Sequence, residues 1–81
     1  MTRTTQIRRN ARSAAWYAKA IASAMKQADG YRQLAALATE LGMEYEADRN
    51  TADAAEMDYE VESLIERAAG EGFTPEDLEV A

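Results

Sequence analysis

Residues 5–30 read TQIRRNARSAAWYAKAIASAMKQADG, and the apolar positions Ile7, Ala11, Ala14, Ala18, Ile21, Met25 and Ala28 alternate steps of four and three. That spacing keeps them on one face of an α-helix for three heptads. A helix is therefore expected over residues 5–28. Its stripe is mostly alanine, so a neighbouring helix can approach closely. Asp29-Gly30 follows, and glycine takes the left-handed conformation that often closes a helix. The first helix is expected to stop there.

Working outward, a second helix is expected over residues 31–41, with Leu34, Leu37, Ala38 and Leu41 facing inward. Gly42 ends it, or it runs on through Met43 and Tyr45 to about residue 48. Continuing to residue 69 would make a 39-residue helix, far above the usual length. The phase also changes: Leu34, Ala38, Leu41 and Tyr45 extrapolate to Ala52, Ala55 and Tyr59, whereas the next large apolar stripe is Met57, Val61, Leu64 and Ala68. A break at Arg49-Asn50-Thr51, with Asn50 capping ahead of Asp53, reconciles the two. The third helix then spans residues 51–69 and is closed by Gly70.

The clearest local signal follows at Phe73-Thr74-Pro75-Glu76-Asp77-Leu78. Thr74 is placed as N-cap, Pro75 as the first helical residue and Asp77 as the residue that answers the cap. Phe73 can staple onto Leu78. A short helix is expected over residues 75–80. One proline and four glycines leave little room for strands. The expected fold is all-α, one domain over residues 1–81: a small three-helix bundle, or a helical hairpin with a short C-terminal helix.

Size limits the core. A chain of 81 residues buries only about 60% of the surface its unfolded form exposes. Eighteen of its apolar residues are alanine, leaving 20 larger ones, so a dimer or a partner would help stability. There is no cysteine and so no disulfide framework. No apolar run approaches the ~20 residues of a membrane span, and the basic N-terminus lacks the apolar segment of a secretory leader. A cytoplasmic protein without a membrane partner is expected.

The net charge of −6 conceals an uneven distribution. Residues 1–32 carry seven basic side chains against Asp29 alone, net +6, while residues 33–81 carry Arg49 and Arg67 against fourteen acids, net −12. Such asymmetry points to charged partners or to pairing inside the fold.

The residues for common catalysis are missing. Without histidine or cysteine, the usual metal ligands, nucleophiles and bases near neutral pH are absent. Glu44, Glu46 and Asp48 cluster, but the segment from Asp48 lacks the glycine and later ligands of a calcium loop. No glycine-rich phosphate cradle occurs. A non-catalytic protein with no cofactor and no metal is expected.

Leu34-Ala-Ala-Leu-Ala-Thr-Glu-Leu-Gly-Met43 resembles the first helix and turn of helix-turn-helix DNA readers. That resemblance implies a following helix with basic or amide side chains in the major groove. Here the following segment carries Asp53, Glu56, Asp58, Glu60, Glu62 and Glu66 with no Lys or Arg. Phosphates would repel it, so groove reading is excluded for it.

Two surfaces remain as candidates. The basic one comprises Arg8, Arg9, Arg12 and Lys19 with Trp16, which points away from the Ile7–Ala28 stripe. A Trp among arginines has the composition of an interface hot spot, although another helix could equally cover it. The arginines near the N-terminus oppose the helix dipole. They pair with the acidic helix, or they meet a partner's acidic surface or RNA. The acidic surface comprises Glu56, Asp58, Tyr59, Glu60, Glu62 and Glu66. Like charges four apart cost ~0.2–0.5 kcal/mol per pair. As a plain solvated face they confer solubility; as a working face they imitate a phosphate backbone, with Tyr59 and Tyr45 as apolar anchors.

In size, alanine-rich helices and density of acid the chain resembles small phage-encoded inhibitors of host defence, such as anti-CRISPR proteins. The resemblance implies an acidic protein-binding inhibitor that blocks a basic, nucleic-acid-handling site on a larger protein. Two other expectations stand beside it: nucleic-acid binding through helix one, and a self-assembling helical module, with homodimers formed by the basic helix docking on the acidic one.

Overall fold

A computed structural model describes the backbone of residues 3–80 and the side chains of residues 14–79. The chain is all-helical over the described residues: α1 is Arg3–Glu40, α2 is Glu44–Gly70 and α3 is Pro75–Val80. α1 and α2 form an antiparallel hairpin, a rod of 60 × 18 × 17 Å. α3 folds back on its base. Of the two architectures expected, the hairpin with a short C-terminal helix is the one adopted.

The hairpin is held by one seam. In α1 the positions Ala14, Tyr17, Ile21, Ala24, Ala28, Tyr31, Ala35 and Ala38 are all buried or half-buried, and their spacing alternates three and four without a slip. In α2 the same holds for Ala47, Asn50, Ala54, Met57, Val61, Leu64 and Ala68. This is a heptad pattern, in which each helix fits its seam residues between those of the other. Among the described residues six of the eight that are buried are alanine; Tyr17 and Leu64 are the other two. Alanine at these positions lets the helix backbones come close.

Gly30 does not end the first helix, and residues 5–28 and 31–40 belong to one continuous α1, with Leu41 already in the turn. A glycine inside a helix costs about 0.5–1 kcal/mol relative to alanine. Stopping there would take Tyr31, Ala35 and Ala38 out of the seam, which is the larger loss. An added Cβ at Gly30 would meet nothing within 4 Å, and its φ is not positive. Gly30→Ala is therefore expected to stabilise the hairpin by ~0.5–1 kcal/mol, raising the thermal midpoint by roughly 2–8 °C. A helix-closing glycine would give the opposite sign in the same melt.

The reversal sits at Leu41-Gly42-Met43. Gly42 has φ of +72°, and the amides of Met43 and Gly42 donate to the carbonyls of Ala38 (2.8 Å) and Thr39 (3.1 Å). These two bonds close α1 as a Schellman motif. α2 then runs through Arg49-Asn50-Thr51 without the expected break. Asn50 Nδ2 donates to the Glu46 carbonyl at 2.9 Å and Thr51 Oγ1 to the Ala47 carbonyl at 2.8 Å. Both side chains are satisfied by their own helix, one turn back, so neither caps a new one. Glu44 and Glu46 occupy the first turn of α2, where the helix dipole favours them.

The second closure also shifts. Gly70 is the last helical residue, and Gly72 (φ +94°) takes the left-handed position, with Phe73 and Gly72 amides bonded to Ala68 and Ala69. The capping box at α3 forms as its sequence requires. The Thr74 amide donates to Asp77 Oδ2 at 2.8 Å and the Asp77 amide to Thr74 Oγ1 at 3.3 Å. Phe73 and Leu78 pack on the cluster of Tyr17, Leu64 and Ala68. The expected stripe Met57, Val61, Leu64 and Ala68 lies in the seam.

Leu34, Leu37 and Leu41, expected inside, are instead 51%, 51% and 64% exposed. Only Ala38 of that group is buried. They lie on the residues flanking Tyr31, Ala35 and Ala38, about a quarter turn from the seam by helical spacing.

Candidate functional site

All six acidic-surface residues named from the sequence are exposed, but α2 distributes them over three directions. By heptad position, Tyr59 and Glu66 lie opposite the seam, with Glu56 and Glu62 beside them. Asp58 and Glu60 lie on opposite flanks, next to α1. Tyr45 shares the outer ridge with Tyr59; the two are 73% and 70% exposed and about 21 Å apart along the helix. Ala52 between them leaves a shallow dent bordered by Ala55, Glu56 and Tyr59.

Asp58 is engaged within the fold. Its carboxylate binds the Arg32 guanidinium across the hairpin, and Arg32 also reaches Asp29 at 3.6 Å. The Asp58 hydrogen bond, and then its charge, hold the Arg32 pKa above the ordinary value. Both side chains are about half exposed, so water screens the pair. Among the described residues Arg32 is the only cation in an ion pair with a side chain. The internal pairing of basic and acidic helices thus comes down to this contact there, and Glu56, Glu60, Glu62 and Glu66 remain unengaged by cations of the described residues.

The basic surface is only partly in view. The side chains of Arg8, Arg9 and Arg12 lie outside the described residues, as do those of Ile7 and Ala11 in the expected apolar stripe. Lys19 is exposed. Trp16 is 56% exposed, and neither α2 nor α3 covers it. Its ring meets the buried ring of Tyr17 edge-on, with centroids 5.1 Å apart. Because the seam uses Tyr17, Trp16 lies on the outer half of α1, beside the side opposite the seam, the heptad position that Glu56 holds on α2.

Two further surfaces escaped the sequence reading. One is an apolar groove of about 330 Å³ where α3 meets the hairpin, lined by Ala18, Ile21, Met25, Ile65, Phe73 and Leu78, with Glu79 the charged lining residue. The other is the exposed row of Leu34, Leu37 and Leu41 on the opposite flank of α1. The signal for both was the unbroken heptad from Ala14 to Ala38, which leaves Met25 and these leucines outside the seam.

Among the described residues no three His, Cys, Asp or Glu side chains come together as a metal site. Among the described residues no helix is long and apolar enough to cross a membrane. No protein-family model, curated protein or solved structure matches the chain.

Proposed function

We propose that this protein is a non-catalytic binding module whose outer α2 face docks on a basic surface of a larger protein. In its most concrete form it is a small acidic inhibitor, of the phage anti-defence style, that occupies a site where the larger protein handles nucleic acid. The observation behind this reading is the ridge of Glu56, Tyr59, Glu62 and Glu66, carried on one continuous 27-residue helix and unengaged by cations of the described residues. Carboxylates held on a rigid helix can face a basic groove without first giving up partners within the described fold. Complementary charge of this kind speeds encounter and sets register, while a desolvated tyrosine supplies the anchoring contact.

The test is capture of partners from host lysate by the full chain, followed by the same capture with Glu62→Lys and Glu66→Lys together. Asp58 is left intact because its role includes the Arg32 contact. The double variant is expected to weaken the captured complex at least tenfold, about 1.4 kcal/mol, and to reduce its salt dependence. Unchanged affinity would refute the site. Tight, salt-sensitive binding of RNA or duplex DNA by the isolated protein would overturn the reading in favour of a nucleic-acid binder acting through helix one.

A further inference from the structure

A second heptad row runs along one flank of α1, separate from the acidic ridge. From Trp16 to Leu41 its steps are four, three, four, three, four, three, four. Its two ends are apolar and exposed: Trp16 at one, Leu34, Leu37 and Leu41 at the other. Its middle is small or polar, with Gln27 donating to Ser23 and Gly30 lacking a side chain. Exposed large apolar side chains in a row mark an interaction surface.

The order of the row fits one occupant, a second copy of itself. Laid antiparallel about an axis between Gln27 and Gly30, the row places Trp16 opposite Leu41 of the other copy, Ala20 opposite Leu37, and Ser23 opposite Leu34. Bulky residues meet small ones over most of its length, the condition for interdigitation. Charge selects the same register. Along the edge of the row α1 itself carries Lys19 and Lys26 at the Trp16 end and Glu40 at the leucine end, while acids of α2 and α3 lie at both ends of the rod. The arrangement brings Lys19 within about 3 Å, along the helix axis, of the level of Glu40 of the other copy. Sliding the copies until leucine meets leucine would bring Glu40 near Glu40 of the other copy and leave Trp16 bare.

We infer that the protein forms an antiparallel two-fold dimer through this flank of α1, a four-helix assembly with the α2 ridges turned outward. This goes beyond the proposed binding role and does not depend on it.

Sedimentation equilibrium of the full chain, from micromolar to submillimolar concentration, is expected to show a reversible approach to twice 8.9 kDa. Leu34→Glu with Leu37→Glu is expected to give a monomer with unchanged helical circular dichroism, since both leucines lie outside the hairpin seam. Lys19→Glu is expected to raise the dissociation constant several-fold, and adding Glu40→Lys to restore it; nonspecific adhesion of leucines would not be restored by the swap. The register is read by single cysteines in this cysteine-free chain with a short bismaleimide. Gln27→Cys is expected to cross-link, and Leu41→Cys, whose copies lie roughly 37 Å apart in this arrangement, is not. A monomer at every concentration overturns the dimer. Cross-linking at Leu41 or Leu37 positions but not at Gln27 overturns the register, and an unrestored swap overturns the charge pairing.

Discussion

Leu64→Ala is expected to lower stability by about 3 kcal/mol and the thermal midpoint by roughly 12–24 °C. Leu64 is 4% exposed and, with Tyr17, is one of two buried side chains larger than alanine among the described residues. It lies in the cluster onto which α3 docks through Phe73 and Leu78. Beside it, Ala20 and Ala68 have no rotamers with which to fill the space, and the ring of Tyr17 is held between the rings of Trp16 and Phe73. The cavity would therefore stay open, the condition under which leucine truncation costs most. A domain of this size has on the order of 4–12 kcal/mol in total, so one substitution removes a large share. Leu37→Ala, at a residue 51% exposed, is the control and should fall within about 0.5 kcal/mol at concentrations where the chain is monomeric. Equal shifts in urea and thermal unfolding for the two variants would show that the seam is not where the stability lies. Hydrogen exchange should also show α3 loosening in Leu64→Ala before the hairpin opens.

How far the fold was legible depended on whether its signal was local. The α3 capping box needed six adjacent residues and no knowledge of the rest, and it forms as read. The stripe of α2 from Met57 to Ala68 was legible because large residues marked it. α1 was harder, because alanine occupies so many of its positions that several stripes look alike. The reading through Ile7, Ala18 and Met25 shares Ala14, Ile21 and Ala28 with the seam but misses Tyr17 and Ala24 by one residue. An additional break was placed at Gly30 for a different reason. Gly30 and Gly42 offer the same punctuation, and only the continued heptad of Tyr31, Ala35 and Ala38 tells them apart. At 38 residues α1 is long for a helix, and the hairpin partner lying alongside stabilises what an isolated helix could not.

The leucines show the limit of equating apolar with inside. Much of a folded surface is apolar, and Leu34, Leu37 and Leu41 are on it while small alanines fill the seam. The acidic surface was legible as exposed charge, but the sequence could not separate Asp58, which turns to Arg32, from Glu62 and Glu66, which do not. That distinction depends on which residues of α1 lie across the hairpin, and so on where the turn is. Trp16 and Tyr17 pose the same problem in miniature. They are adjacent aromatics, and only the register of the seam decides which is buried.

The alanine seam also predicts that a larger apolar residue will harm this protein. Ala68 is 0% exposed, and its replacement by leucine barely changes helix propensity, so any loss comes from packing. Leucine there must push α2 away from α1 at the level of Tyr17, and overfilling of this kind costs about 1–3 kcal/mol. Ala36→Leu, on an exposed position of α1, should be close to neutral by comparison. The pair Leu64→Ala with Ala68→Leu sharpens the test. The two positions are one turn apart on the same face and share the Tyr17 cluster, so the added leucine has the emptied space beside it. The double variant is expected to lose less than the sum of the two single losses, with a coupling of at least about 0.5 kcal/mol. Strict additivity would mean that the two sites do not share a cavity. A stabilising Ala68→Leu would mean that the helices are not held at alanine spacing at all.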